Sequence, residues 1–164
     1  MPDERYVLVE GDHVWIGERV ANEWGVRFGK RSSESRQRRN YMAKSSEAAS
    51  AALAAAVTEK RTTYKLAPQG QVARDLVRKR LGLAVEEKDE TEADGEARQV
   101  ATVLVVTAAA ASFADGDRLV AIVVGKRRVV TTTLDELAAV LAELRKGAKV
   151  TLETSRASVA LALC

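Results

Sequence analysis

Residues 80–87 read RLGLAVEE and residues 131–147 read TTTLDELAAVLAELRKG, with short apolar runs between and after them. The order of these pieces decides the fold class. Leu83–Glu87, Val100–Thr107, Arg118–Val124, Arg127–Thr131, Lys149–Thr154 and Val159–Leu163 are β-branched or alternate apolar with polar residues, as strands do. Thr133–Arg145 has a helical period instead. Thr133 is placed to cap that helix, Glu136 three residues on completes a capping box, and Gly147 stands beyond the last turn as a stop. A brief helical turn is expected near Ala108–Phe113. Residues 80–164 therefore predict an α+β fold: a small barrel of five or six strands capped by one long and one short helix.

This stretch resembles a PDZ domain. The resemblance covers about half the chain and is carried by Arg80-Leu81-Gly82-Leu83, which matches an X-Φ-Gly-Φ carboxylate-binding loop. Alanine-rich sequence leading into Gly116-Asp117-Arg118-Leu119, the long helix and the Lys146–Leu152 segment add to it. Two positions depart from the pattern: Val124 precedes Gly125 where asparagine is usual, and Leu83 stands where phenylalanine is common.

The resemblance implies a non-catalytic module that holds a partner's C-terminal tail between a strand and the long helix, so that the tail extends the sheet edge. The implied groove comprises Arg80, Leu81, Gly82, Leu83, Ala84, Val85, Leu134, Ala138 and Leu141. Backbone amides at Leu81, Gly82 and Leu83 would bind the tail's carboxylate, with Arg80 or Lys79 adding charge. Helical spacing puts Leu134, Ala138 and Leu141 on one face as the groove wall, and turns Leu137, Val140 and Leu144 toward the core. The same residues admit a plainer reading. Gly82 also suits the C-cap of a helix starting at Gln69, and Leu134, Ala138 and Leu141 also suit a helix buried on two sides.

Upstream the composition changes. Residues 1–80 carry 16 Lys/Arg against 10 Asp/Glu, whereas 81–164 carry 10 against 13. The first part is basic enough to prefer an acidic partner. Tyr6–Val9 and His13–Ile16 flank Glu10-Gly11-Asp12 and predict a small hairpin in residues 1–26, with Trp15, Trp24 and Phe28 as anchors. Residues 27–44 read RFGKRSSESRQRRNYMAK, in which Arg27, Lys30, Arg31, Arg36, Arg38, Arg39 and Lys44 are opposed by Glu34 alone. Lacking any period, this segment reads as a basic arm that docks on RNA or an acidic polymer surface. Its aromatic residues are too irregularly spaced to predict a stacking platform. Residues 45–79 read as a helical connector: an alanine-rich helix capped by serine from Ser45 to Lys60, and a second one from Gln69 with Val72, Leu76 and Val77 on one face.

Glu86–Glu96 holds seven acidic residues and one lysine and reads as a solvated loop. Catalysis has no visible equipment. His13 and Cys164 are the only residues of their types, which leaves no disulfide or four-ligand metal site within the chain, and neither a serine-protease motif nor a glycine-rich phosphate loop occurs. No cofactor is expected. The apolar runs are too short to span a membrane, and no secretory signal is evident, so an intracellular address is expected. Two functions follow: a scaffold subunit that holds a partner's tail or strand and docks its basic extension on a larger assembly, or a ribonucleoprotein component that uses the arm on RNA.

Overall fold

The computed structural model describes residues 2–92, 99–106 and 113–164, with only the backbone of 89–92 and 99–103. The chain divides after Ala67 into two units.

In the first unit the turn suggested by Gly11 and Asp12 joins β1 (Glu4–Glu10) to β2 (His13–Val20), with Gly11 at φ 52°. The hairpin grows into a meander. β3 (Glu23–Lys30) pairs with β2, β4 (Gln37–Met42) pairs with β3, and the short β5 (Lys65–Leu66) closes the other edge in the order β4-β3-β2-β1-β5. Between them α1 (Ser46–Lys60) starts at Ser45, whose Oγ accepts the Ala48 amide at 3.1 Å. Its buried stripe is Ala49, Leu53 and Val57, spaced four residues apart. Leu53 and Val57 join Leu8, Trp15 and Val26 in one core, with Tyr6, Trp24, Phe28 and Tyr64 packed around them.

Gly17 is what lets the helix come so close. A Cβ built there would lie 2.6 Å from Leu53 Cδ1 and 2.7 Å from the Trp15 ring. The alanine-rich helix thus presses on a strand position that has no side chain, and its packing there is tight.

The second unit begins at Pro68. α2 (Gly70–Leu81) is followed by β6 (Val85–Glu92), β7 (Gln99–Val106), β8 (Arg118–Val124), β9 (Arg127–Val130), α3 (Leu134–Ala142), β10 (Lys149–Thr154) and β11 (Ser158–Ala162). The strands are antiparallel in the order β11-β10-β8-β7-β6, with β9 paired to β8. Leu104, Leu119, Ile122, Val129, Val150 and Leu152 from the sheet form one cluster with Leu134, Leu137, Ala138, Val140 and Leu141 of α3 and Ala73, Val77 and Leu81 of α2. Each large side chain buried there contributes about 1.5–3 kcal/mol.

Thr133 caps α3 as read from the sequence, while Glu136 reaches one residue further back than a capping box requires. Thr133 Oγ1 accepts the Glu136 amide at 3.1 Å, and the Glu136 carboxylate reaches back to accept from the Thr132 hydroxyl at 2.7 Å and its amide at 3.3 Å. Asp117 closes the turn into β8. Its carboxylate accepts the Ala114 amide at 2.9 Å and takes Arg156 bidentately at 2.9 and 3.2 Å. The Arg156 hydrogen bonds hold the Asp117 carboxyl below its ordinary value, assisted by the Ala114 amide.

Several expectations are corrected. Both sheets are open among the described residues: β6 and β11 lie at the edges of the second, so the expected barrel does not close. The basic arm is not an arm. Arg27 and Lys30 lie in β3, and residues 37–42 form β4, in register from Glu23↔Met42 to Phe28↔Gln37. The helical connector is divided, with α1 serving the first unit and α2 the second. On α2 the buried stripe is Ala73, Val77 and Leu81, whereas Val72 is 68% exposed, because a small residue sets the approach to α3. β6 runs through Glu86–Glu92, where a loop was expected. The turn expected at Ala108–Phe113 falls, except for Phe113, outside the described residues, as do residues 93–96 of the acidic stretch.

Gly17→Val is expected to destabilise the first unit by about 1–3 kcal/mol through overpacking. Chemical denaturation followed by tryptophan fluorescence reads this directly, since Trp15 sits beside the added methyls; an unchanged midpoint would contradict the close approach. The Asp117–Arg156 pair predicts an acid-side loss of stability. The unfolded carboxyl titrates near 3.8. The pair's contribution is therefore complete above that pH and fades as pH falls through the lowered folded value. Asp117→Asn should remove this part of the pH dependence. Equal acid slopes for the two proteins would refute it.

Candidate functional site

Gly82 ends α2 with φ 68° and ψ 19°, a left-handed bend that glycine adopts without a Cβ penalty, and its amide donates to the Arg78 carbonyl at 2.9 Å. β6 begins three residues later. It pairs with β7 along its whole length and forms the edge of its sheet. α3 is fastened to this strand, since the Leu134 amide donates to the Glu87 carboxylate at 2.7 Å, which sets a negative charge at the helix N-terminus. An edge strand and a capped helix are the two walls implied by the sequence.

The space at these walls is filled. Leu134 is 5% exposed, and Ala138 and Leu141 are fully buried. Leu81, Leu83 and Val85 are buried too, and Ala84 is half-buried. α2 packs against both α3 and β6, and its Ala73–Val77–Leu81 stripe shares a cluster with Leu83, Val85, Leu134, Ala138 and Leu141. Arg80 extends across to α3, where its guanidinium donates to the Leu141 carbonyl at 3.4 Å and to the Leu144 carbonyl. Both plainer readings of these residues hold in this arrangement: Gly82 is a helix C-cap, and α3 is buried on two sides.

The seven basic residues of 27–44 fall into different roles. Arg31 is 1% exposed; its Nη1 donates to the Gly11 carbonyl at 3.2 Å and its amide to the Asp12 carbonyl at 2.7 Å, so it braces the β1–β2 turn. Arg27 is ion-paired with Glu18 across β2 and β3. Arg36 is half-buried, and Lys30, Arg38, Arg39 and Lys44 are exposed. Every residue of β4 is exposed, and alternation turns Arg39 and Tyr41 to one face and Arg38, Asn40 and Met42 to the other.

On the first of these faces the strand register gathers rings that are scattered in sequence. Tyr41 stacks on Trp24 with centroids 4.4 Å apart and planes at 22°. Arg39 lies 5.7 Å from the centre of the Phe28 ring, and Lys60 of α1 lies 6.0 Å from that of Tyr64. Trp24, Phe28, Arg39, Tyr41, Lys60 and Tyr64 line a cleft of about 320 Å³. A second cleft of about 400 Å³ is lined by Val20, Arg27, Arg38, Asn40 and Met42 among others. Rings and cations together suit a planar ring that carries negative charge nearby. Spacing along the chain hides this cluster; only the Glu23↔Met42 register reveals it.

Among the described residues no three His, Cys, Asp or Glu side chains gather as a metal-binding group, and no described helix is long and apolar enough to cross a membrane. No family model, curated protein or solved structure matches the chain.

Proposed function

We propose that the chain is a non-enzymatic interaction protein whose second unit is PDZ-like and takes the C-terminal tail or a strand of a partner protein along β6. The observation that carries this reading is the edge position of β6, directly after the Gly82 bend and fastened to α3 through Glu87. Supporting it, the helix falls between the fourth and fifth strands of the unit, as the resemblance implies. A foreign strand on a free edge gains main-chain hydrogen bonds along its length, and the tail's carboxylate adds charge-assisted ones. The first unit then serves as the basic docking module of a larger assembly. Wild-type protein titrated with peptides ending in an apolar residue should bind free-carboxylate forms about 10-fold or more tightly than their amidated twins. Equal affinity for both forms would remove the tail reading.

A second reading is favoured by one specific observation, the stacked Trp24–Tyr41 pair beside exposed Arg38 and Arg39. It makes the β3–β4 face a seat for an RNA strand, with bases on the rings and phosphates on the cations. Replacing Arg38 and Arg39 by alanine should lower the log–log salt slope for a single-stranded RNA oligonucleotide by about 1.4, at about 0.7 per phosphate released. An unchanged slope would set this reading aside.

A further inference from the structure

Resting on the tail-binding reading of the second unit, we propose that α2 is a built-in competitor that keeps the groove closed, and that a partner's C-terminal tail docks only when α2 lifts and unwinds. Three observations converge on this. First, Ala73, Val77 and Leu81 of α2 are in one cluster with Leu134, Ala138 and Leu141, which leaves those groove side chains no free surface. Second, intact α2 engages two of the three amides that would bind a carboxylate, and Arg80 is engaged as well. Leu81 lies in its last turn, the Gly82 amide donates to the Arg78 carbonyl, and the Arg80 guanidinium is committed to the carbonyls of Leu141 in α3 and Leu144 just beyond it. A tail cannot use these amides and this cation while the helix is intact.

Third, α2 is built to open. Gln69 provides no side-chain cap, Gly70 starts the helix at φ 57°, and no acidic residue stands in the first turn. A helix of 12 residues is marginal without tertiary support. Its apolar support here is the Ala73, Val77 and Leu81 stripe with the partly buried Leu76, and the Cys164 amide adds one hydrogen bond to the Arg80 carbonyl at 2.9 Å. The tie through Arg80 is itself imperfect, because Arg80 Nε is buried without a hydrogen-bond partner. Once lifted, α2 unravels and frees the amides around Gly82 in the same event that uncovers the apolar wall. The measured affinity is then the intrinsic one reduced by the fraction of molecules that are open.

Two full-length variants push the opening equilibrium in opposite directions. Val77→Ala weakens the stripe, and Gln69→Asp adds the missing N-cap at the end of α2 opposite Gly82. The probe is a labelled decapeptide with an apolar, free-carboxylate end, with its amidated twin as control; hydrogen exchange of α2 amides reports opening without any peptide. Val77→Ala is expected to tighten binding about fivefold and speed α2 exchange by a similar factor, while Gln69→Asp weakens binding and slows exchange about fivefold. If α2 exchange changes but all three proteins bind the peptide equally, the competitor is overturned and the tail reading stands. If no protein distinguishes the carboxylate from the amide although Val77→Ala exchanges faster, the tail reading fails and the competitor with it. Should Val77→Ala fail to fold, Gln69→Asp decides alone, since a cap acts on the first turn of α2 and leaves its Ala73, Val77 and Leu81 stripe intact.

Discussion

An antiparallel sheet with one apolar face must bury that face, and in both units the nearest cover is a helix whose contact stripe uses short side chains at four-residue spacing. Ala49, Leu53 and Val57 form the stripe of α1, and Ala73, Val77 and Leu81 that of α2. Short side chains bring helix and partner close, and close approach makes the contact sensitive to single atoms. The first unit shows the permanent form of this contact. Gly17 leaves a gap that Leu53 fills, and Ser45 caps the helix, so α1 is held from its first turn to its last.

The second unit uses the same kind of stripe with weaker ends. α2 begins at an uncapped Gln69 and a left-handed Gly70, whereas α3 beside it is capped by Thr133, braced by Glu136 and tied to β6 by Glu87. Two helices in contact thus differ in how firmly their termini are secured. A wall and a removable cover require that difference. In the proposed function α3 is the wall, and the chain's own sequence just before the Gly82 bend is the cover.

Much of this was legible from residue order. The six strands after Gly82, the Thr133 cap, the Gly11-Asp12 turn and the Ser45 cap all rest on signals within a few residues of one another. β4 was not legible, because Gln37–Met42 has no alternation of apolar and polar residues; its strand character comes from backbone pairing with β3 and from Tyr41 meeting Trp24. Arg31 was misread as a docking cation for a similar reason. Its partners are the carbonyl groups of a turn far away in sequence, and only a closed sheet register brings them within reach.

By itself the sequence determined the helices, the caps at Ser45 and Thr133, the strands of the second unit in outline and the glycine bend before β6, because propensity, capping and turn chemistry act over three or four residues. Tertiary structure alone decided which faces stay available. The burial of Leu134, Ala138 and Leu141 depends on α2 packing against α3, and the ring cluster depends on strand register. Both are contacts between residues far apart in the chain. Such contacts follow from how whole elements cover one another's apolar surface, which no single stretch of residues specifies.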